Sequence, residues 1–391
     1  MDEYDYIGFF EGEKYVCTHH FEDRYLNQYI QENGENGECS YCHRKGTVLD
    51  MSKLEEHVGA VISTCYNDVD SENLPLASSF FLDKDDDDET HIKHAGCFAV
   101  PAGVEVFEDT SEMMDALGLH TECNELNNDI DSFYRDNMWV KCDPFEPWWN
   151  EMKEWQWEKF SEKVKHTQRY TFLADIYDED NEILNNLYVV LRESKDIYRR
   201  LPVGVILYRT RSLQCEPDEN FGFDDITSAP DEFAGQCRMS PAGVSMFYGA
   251  FDRDTAMEES IKKENEKVVV IGEFLTTTGL YVLDLTRLPE RVSVWMDNWQ
   301  WYSFLKSFHD DITKPLGQNT REAIDYVPSQ VFTEFLRWMF KDKEGNKING
   351  LVYRSSKTGL SNVVLFCDNA ESRKWLKLKS FSVSVWDRSV D

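Results

Sequence analysis

Long apolar runs and a basic leader are both missing from this chain. No window approaches the roughly 18 consecutive apolar residues of a membrane-spanning helix. Residues 1–10 are acidic and lack the basic and apolar regions of a secretory signal peptide. We therefore expect a cytoplasmic protein without a membrane partner. In that compartment the ten cysteines are expected to be thiols or metal ligands rather than disulfides.

Basic residues are scarce as well. Lys and Arg total 41 against 73 Asp and Glu, which gives a formal net charge of -32. Proteins that coat nucleic acid present a basic face, and docking on anionic lipid needs one too. The charge balance therefore argues against nucleic acid and membranes as partners. It still permits one small basic pocket for a single anionic ligand.

Length and composition predict more than one folded domain. The chain has 391 residues, of which 41% are hydrophobic and 14% aromatic, enough to bury a large core. Eight of the nine His and seven of the ten Cys precede residue 200, whereas short apolar runs and Gly turns follow it. We predict an α+β protein with a zinc-ribbon-like module over 1–50, a mainly helical domain over 51–199 and a mixed α/β domain over 200–391.

Hydrophobic periodicity supports that division. Helical spacing predicts front-half helices over 52–66, 148–166 and 182–198. The back half combines short strands with helices, and the regular alternation of a doubly wound fold is absent, so its sheet is expected to be antiparallel or mixed. The strands are predicted over 203–208, 267–274, 280–285, 350–354 and 362–366, and the helices over 253–266, 296–308 and 329–339.

Two short Cys and His pairs near the N-terminus have the spacing of a structural zinc site. Cys17 and His20 form one pair, and Cys39 and Cys42 form the other. Zinc prefers four tetrahedral N or S ligands, and two intervening residues let both side chains of a pair reach one ion. The alternatives are unrelated side chains on a polar loop, or His19 in place of His20. A closed four-ligand site would stabilise the fold and perform no chemistry.

Polar residues at the ends of predicted strands mark a cleft in the back half. Arg209 follows the apolar run 203–208, and its planar guanidinium suits phosphate oxygens. Arg238 precedes a Pro and Gly loop that leads into a strand carrying Tyr248. The glycine spacing matches neither a Walker loop nor a dinucleotide fingerprint.

A carboxylate and two small polar residues complete the candidate site. Glu258 and Glu259 lie in the first turns of a predicted helix, and the sequence leaves open which of them faces the cleft. Ser355, or Ser356 beside it, and Asn362 lie between two predicted strands. The only histidine of this half is His309, which argues against a Ser/His/Asp hydrolase.

These residues resemble the RES domain, a family named for its Arg, Glu and Ser. The resemblance covers about residues 200–385, with its motifs in the right order. The front half resembles the HEPN-like N-terminal domain that accompanies some RES domains, although His20 stands where that family usually has Cys. It lacks an Arg followed four to six residues later by a His, the pair of an RNA-cutting HEPN domain. The motifs that carry the RES-domain resemblance are Leu207-Tyr208-Arg209, Arg238-Met239-Ser240-Pro241-Ala242-Gly243, Phe247-Tyr248-Gly249-Ala250, Thr255-Ala256-x-Glu258, Tyr353-x-Ser355, Asn362 and Leu365-Phe366.

The resemblance implies an ADP-ribosyltransferase-like fold and a toxin that degrades NAD+ by cleaving its nicotinamide–ribose bond. It implies a toxin–antitoxin or abortive anti-phage defence role, an antitoxin or regulatory partner, and catalytic roles for Arg209, Tyr248, Ser355 and, by motif register, Glu258. Arg209, Arg238, Tyr248, Ser355 and Asn362 would then bind NAD+. The resemblance leaves the acceptor open between water, phosphate and a macromolecule. A target-dependent ADP-ribosyltransferase and a non-catalytic nucleotide-binding interaction protein stay as alternatives. Homo-oligomerisation is also left open.

Overall fold

The structure is a computed structural model that describes residues 13–68, 92–95, 98–101, 106–143, 146–170, 182–260, 268–315 and 321–385. The chain forms two compact units, residues 1–149 with 291–300, and residues 150–290 with 301–391. This division by contact falls at 149–150 and differs from the compositional boundary at 199. The domain limits inferred from the sequence therefore stay a prediction. No helix in the described parts of the chain is both long enough and apolar enough to cross a bilayer.

Within its described residues, the first unit contains three small sheets and four helices. Asp23 caps α1 by accepting from the backbone N–H groups of Tyr25 and Leu26, and Asp50 caps α2 by accepting from that of Ser52. The sheets have the orders β1-β3-β2, β4-β8-β7 and β5-β6. The elements are β1 (Tyr15–Cys17), α1 (Arg24–Asn33), β2 (Glu35–Glu38), β3 (Lys45–Asp50), α2 (Met51–Cys65), β4 (Tyr66–Asp68), β5 (Ile92–Ala95), β6 (Phe98–Pro101), β7 (Val106–Phe107), α3 (Thr110–Ala116), α4 (Asn124–Asp131) and β8 (Trp139–Lys141).

A large hydrophobic core extends from the N-terminal sheet to the helices of the first unit, and Cys17, Cys39 and Val48 form a separate smaller cluster. Val16 and Leu49 from the N-terminal sheet are packed in the same cluster as Leu54 of α2 and Trp139 of β8. The Cys-rich segment therefore shares its core with the helices that follow it. Trp295, from the distant segment 291–300, belongs to this cluster and donates its indole N–H to the carbonyl of Leu117 at 3.2 Å.

The second unit is built around an eight-stranded sheet. Its order is β16-β12-β10-β11-β15-β14-β13-β9, and every pair is antiparallel except β13 with β14. The elements are α5 (Trp149–His166), α6 (Glu182–Glu193), β9 (Tyr198–Leu201), β10 (Ile206–Leu213), α7 (Phe223–Ile226), β11 (Phe247–Ala250), α8 (Arg253–Ser260), β12 (Val268–Thr276), β13 (Leu280–Asp284), α9 (Trp299–Thr313), α10 (Glu322–Asp325), α11 (Val327–Trp338), β14 (Gly350–Arg354), β15 (Ser361–Leu365), α12 (Asn369–Trp375) and β16 (Leu376–Val385).

The sheet is interrupted in its middle. β10 pairs with β12 over eight residues but with β11 only at Tyr208 and Ala250. Below this division the aromatic rings of Phe247 and Phe274 pack edge-to-face, 5.1 Å apart, in the core of the unit. The strands therefore part next to a region where their side chains are tightly packed.

The predicted α+β class and the mixed, mostly antiparallel sheet are confirmed. Some element limits differ. The helix predicted over 182–198 ends at Glu193, because the chain enters β9 at Tyr198. The strand predicted over 203–208 begins later, at Ile206, after a turn in which Gly204 has a φ of 89°. For the helix predicted over 253–266, residues 261–266 lie outside the described residues.

A substitution at Gly350 would test how closely the central strands of the large sheet pack. A Cβ at this position would lie 2.3 Å from the carbonyl oxygen of Val364, which is backbone and cannot swing aside. We expect Gly350→Ala to lower the free energy of unfolding by about 1–3 kcal/mol or more. The matched control is Gly279→Ala, where the nearest atom would be 4.0 Å away. Urea denaturation that ranks the two variants equally would contradict this assignment.

Candidate active site and metal centre

A cavity of about 550 Å³ opens where β10 and β11 separate. Its walls come from β10, β11, β14, β15 and α8, together with residues 237–238, the C-terminal end of α9, Tyr326 and the loop after β14. Thr210 of β10 donates its hydroxyl to the carbonyl of Ala256 at 2.7 Å, which ties α8 to the strand beside the opening. A cavity of this size is in the range of small-molecule and cofactor sites.

Arg209 spans the division in the sheet. Its Nε donates to the carbonyl of Ile226 at 2.9 Å, and its Nη1 donates to the carbonyl of Tyr248 on β11 at 2.8 Å. Burial lowers the pKa of this guanidinium. Among the residues that the structure describes, Nη2 has no hydrogen-bond partner. The side chain lines the cavity, so this group is available to an anionic ligand.

Arg238 also lines the cavity, but both of its terminal nitrogens are bound to backbone. Nη1 donates to the carbonyl of Ile312 at 3.0 Å, and Nη2 donates to that of Lys314 at 2.9 Å. The guanidinium lies 5.2 Å from the ring centroid of Tyr326. Arg238 therefore fixes the C-terminal end of α9 while adding positive charge to the cavity.

The two neighbouring glutamates of α8 have different positions. Glu259 lines the cavity, and its Oε1 accepts from the hydroxyl of Ser355 at 2.7 Å and from Nδ2 of Asn362 at 2.8 Å. Its Oε2 has no partner among the described residues. Glu258, which the motif register favoured, is exposed and is not a lining residue. The geometry thus places Glu259, one residue further along the helix, in the site.

Ser355 and Ser356 have different positions too. Ser355 is buried, and besides donating to Glu259 its oxygen accepts from the backbone N–H groups of Lys357 and Thr358, each at 3.2 Å. Ser356 is exposed and lines the cavity. Ser355 therefore orients the carboxylate of Glu259 from behind, whereas the cavity wall itself carries Ser356.

Tyrosines form a large part of the cavity wall. The hydroxyl of Tyr248 lies 2.8 Å from Oγ of Ser240, and burial raises the pKa of this phenol well above its usual value. Tyr208, Tyr326 and Tyr353 line the cavity as well. Of these, only Tyr248 was selected from the sequence. The signal that could have found Tyr353 is its place at the end of a predicted strand, two residues before Ser355.

The cavity is cationic although the chain is acidic. Four positive side chains line it, namely Arg209, Arg238, Arg354 and Lys357, against the single carboxylate of Glu259. The whole chain carries a formal net charge of -32. Such a local excess of positive charge in a partly enclosed site favours binding of an anionic ligand.

His309 supports the cavity from the core. It is 4% exposed, and its Nε2 accepts from the backbone N–H of Arg354 at 3.3 Å. Its Nδ1 lies 3.1 Å from Oδ1 of Asp310. Since Nε2 is an acceptor, the ring is neutral with its proton on Nδ1. Burial lowers the pKa of His309, which favours this neutral form.

The four predicted metal ligands come together in the first unit. Cys17 ends β1 and His20 lies in the following turn, while Cys39 and Cys42 lie in the turn between β2 and β3. Their ligand atoms are all within 4.8 Å of one another. Two of the separations are 3.5 Å, between Sγ of Cys17 and Sγ of Cys42, and 3.4 Å, between Sγ of Cys39 and Nε2 of His20.

This donor set fits a single metal ion. Zn–S bonds of about 2.3 Å imply S···S edges of about 3.8 Å in a tetrahedron, close to the separations found here. Ser40 holds the two turns together, because its N–H donates to the carbonyl of Tyr15 at 2.8 Å and its Oγ accepts from the N–H of Tyr15 at 2.9 Å. The cluster can therefore bind a metal, with His20 rather than His19 in the ligand set.

The neutral state of His309 predicts a pH dependence of stability. Because its pKa is lowered in the folded state, the unfolded chain takes up the proton first as pH falls below about 6.5. Stability is therefore full above that pH and decreases below it. We expect the urea midpoint to fall more between pH 7.5 and 5.5 in the wild type than in His309→Gln, whose amide oxygen can still accept from Arg354. Parallel pH profiles would exclude His309 as the cause.

Two protein families match this chain. The family described as HEPN/RES N-terminal domain 1 matches residues 32–178, and the family described as RES domain matches residues 206–382. No curated protein and no solved structure matches the chain. The second match includes every strand and helix that contributes to the cavity. The chain therefore belongs to the RES-domain family, in the form that carries a HEPN/RES N-terminal domain 1.

Proposed function

We propose that the protein cleaves NAD+ between nicotinamide and ribose. The observation that carries the proposal is the state of Glu259, with one oxygen held by Ser355 and Asn362 and the other unpartnered among the described residues, inside a cationic cavity. This arrangement combines binding of an anion with a fixed negative charge at one point. NAD+ needs both, because its pyrophosphate is anionic and its scissile ribose becomes positive during cleavage.

The electrostatics of the reaction agree with the residues present. Breaking the nicotinamide–ribose bond generates an oxocarbenium-like ribose, which the carboxylate of Glu259 would stabilise. Nicotinamide departs as a neutral amine from a cationic ring, so the reaction needs no general acid. His309 is therefore not required as a proton donor, consistent with its burial and its bond to Arg354.

The cationic side chains suggest how the substrate would be oriented. The free Nη2 of Arg209 and the exposed side chains of Arg354 and Lys357 are available to the pyrophosphate. The nitrogens of Arg238 are occupied by carbonyls, so Arg238 would act through its charge. Tyr248 lines the cavity and would stack on the nicotinamide ring.

The nature of the acceptor is open to experiment. Water would make the protein an NAD+ glycohydrolase, phosphate would give ADP-ribose 1″-phosphate, and a macromolecule would make it an ADP-ribosyltransferase. We favour water, because it needs no further binding site. Depletion of NAD+ would be toxic, so we propose a cytoplasmic toxin in a toxin–antitoxin or anti-phage defence system, restrained by an antitoxin or regulatory protein.

Two adjacent substitutions test the catalytic assignment. We expect Glu259→Gln to lower the rate of nicotinamide release from NAD+ by about 10²-fold or more, because the amide cannot stabilise the developing charge. Glu258→Gln is the matched control on the neighbouring turn position, and we expect it to keep nearly full activity. Chromatography of NAD+, nicotinamide and ADP-ribose products measures both, and calorimetric titration with ADP-ribose checks that each variant still binds.

The outcomes separate the alternatives. Equal loss in both variants, or loss only in Glu258→Gln, would remove Glu259 from the mechanism. Intact NAD+ with the wild type would refute the glycohydrolase, and transfer of labelled ADP-ribose to a lysate component would then identify a transferase. If NAD+ depletion is the toxic event, expression of the wild type but not of Glu259→Gln should arrest growth.

We propose that the cluster of Cys17, His20, Cys39 and Cys42 binds a structural zinc ion. Three thiolates and one imidazole are a common zinc set, and four protein ligands leave no position for substrate. The ion would hold the two turns of the N-terminal sheet together, next to the core that Val16 shares with α2.

Metal analysis tests this site directly. Purified protein should contain about one zinc per chain, and Cys39→Ser with Cys42→Ser should lose it. Because bound zinc stabilises the fold, the thermal midpoint of the double variant should fall as well. Replacement of the exposed Cys215 is the matched control and should change neither quantity. A protein that folds without zinc, at an unchanged midpoint, would rule out the assignment.

A further inference from the structure

Tyr353 is a buried residue of the cavity wall to which the sequence assigned no role. It lies on β14, is 9% exposed and lines the cavity. In the strand register it stands opposite Asn362 of β15. It is also two residues from Ser355, so the three side chains share one face of the sheet. Asn362 and Ser355 are the two residues that hold Glu259.

The hydroxyl of Tyr353 has no hydrogen-bond partner among the residues that the structure describes. Two half-buried tyrosines of this unit differ, since Tyr248 pairs with Ser240 and the hydroxyl of Tyr198 donates to the carbonyl of Leu191 at 2.8 Å. Because Tyr353 lines the cavity, a hydroxyl without a partner in the protein is available there to a ligand.

The chemistry of that bond is fixed by the surroundings. Burial raises the pKa of the Tyr353 phenol, and the negative charge of Glu259 raises it further. The group therefore stays protonated and acts as a hydrogen-bond donor. Beside it, the free Oε2 of Glu259 can only accept while it is ionised. A group that donates to one and accepts from the other satisfies both, and a hydroxyl does this.

We propose that Tyr353 and Glu259 together bind one hydroxyl of the ribose that carries nicotinamide. The inference rests on the proposed function and adds a residue that selects the sugar. In this arrangement the ribose hydroxyl donates to Glu259 and accepts from Tyr353, so that the scissile ribose is held against the carboxylate. Tyr353 is then a substrate-binding residue, and a deoxyribose at this position loses its bond.

A comparison of substrates and variants tests the proposal. The probes are NAD+ and two analogues that lack the 2′- or the 3′-hydroxyl of the nicotinamide ribose. We expect Tyr353→Phe to lower kcat/KM for NAD+ by about 10-fold, the value of one hydrogen bond. It should have no effect on one of the two analogues, because that analogue lacks the hydroxyl which Tyr353 contacts. Tyr198→Phe, outside the cavity, should leave all three values unchanged.

Stability distinguishes a binding role from a structural one. Because the Tyr353 hydroxyl has no internal partner, Tyr353→Phe should not lower the urea midpoint, whereas Tyr198→Phe should lower it by removing a hydrogen bond. Unchanged kcat/KM for NAD+ with Tyr353→Phe, or an equal loss on all three substrates, would overturn the inference and leave the proposed function intact. A wild-type protein that cleaves none of the three substrates would refute both this inference and the proposed function.

Discussion

The guanidinium of Arg209 takes the place of main-chain pairing where the large sheet divides. β10 and β11 share one residue pair, and beyond it Arg209 links β10 to the carbonyl of Tyr248 on β11. A side chain can hold two strands further apart than backbone hydrogen bonds can. The space that this creates is the cavity, so the same group that closes the sheet also faces the ligand. Loss of Arg209 would therefore affect the fold and the site together.

Charged side chains of the cavity are held in fixed positions. They therefore favour an anionic ligand and also determine where its charged groups can lie. Three of the cavity's charged groups are held by hydrogen bonds: Arg238 by carbonyls at the C-terminal end of α9, Lys357 by the carbonyl of Glu258, and Glu259 by Ser355 and Asn362. Groups anchored before binding lose little entropy when a ligand arrives. At physiological ionic strength the rest of the acidic surface is screened beyond about 8 Å, so these local charges dominate at close range.

Much of this arrangement was predictable from the sequence, and the remainder depended on three-dimensional register. The family relationship, the fold class and the meeting of the four Cys and His side chains are confirmed. The motif register favoured Glu258, whereas Glu259 lines the cavity. Successive helical residues point about 100° apart, so the outcome depends on where α8 starts. The catalytic roles themselves stay predictions. Tyr353 was part of the recognised motif Tyr353-x-Ser355 but was given no role, because a tyrosine in an apolar strand is typical of a core.

The segment 291–300 lies within the stretch that matches the RES domain, yet it belongs to the first compact unit. Its Trp295 is 1% exposed and forms part of that unit's core. The front unit is thus completed by residues encoded far downstream, between β13 and α9. A gene fragment that ends before this point would lack a core tryptophan, and one that starts after the front unit would leave the same tryptophan without its neighbours. A recombination event would keep the core of the front unit intact only if it transferred segment 291–300 together with residues 1–149. The two stretches of sequence are therefore expected to be inherited together.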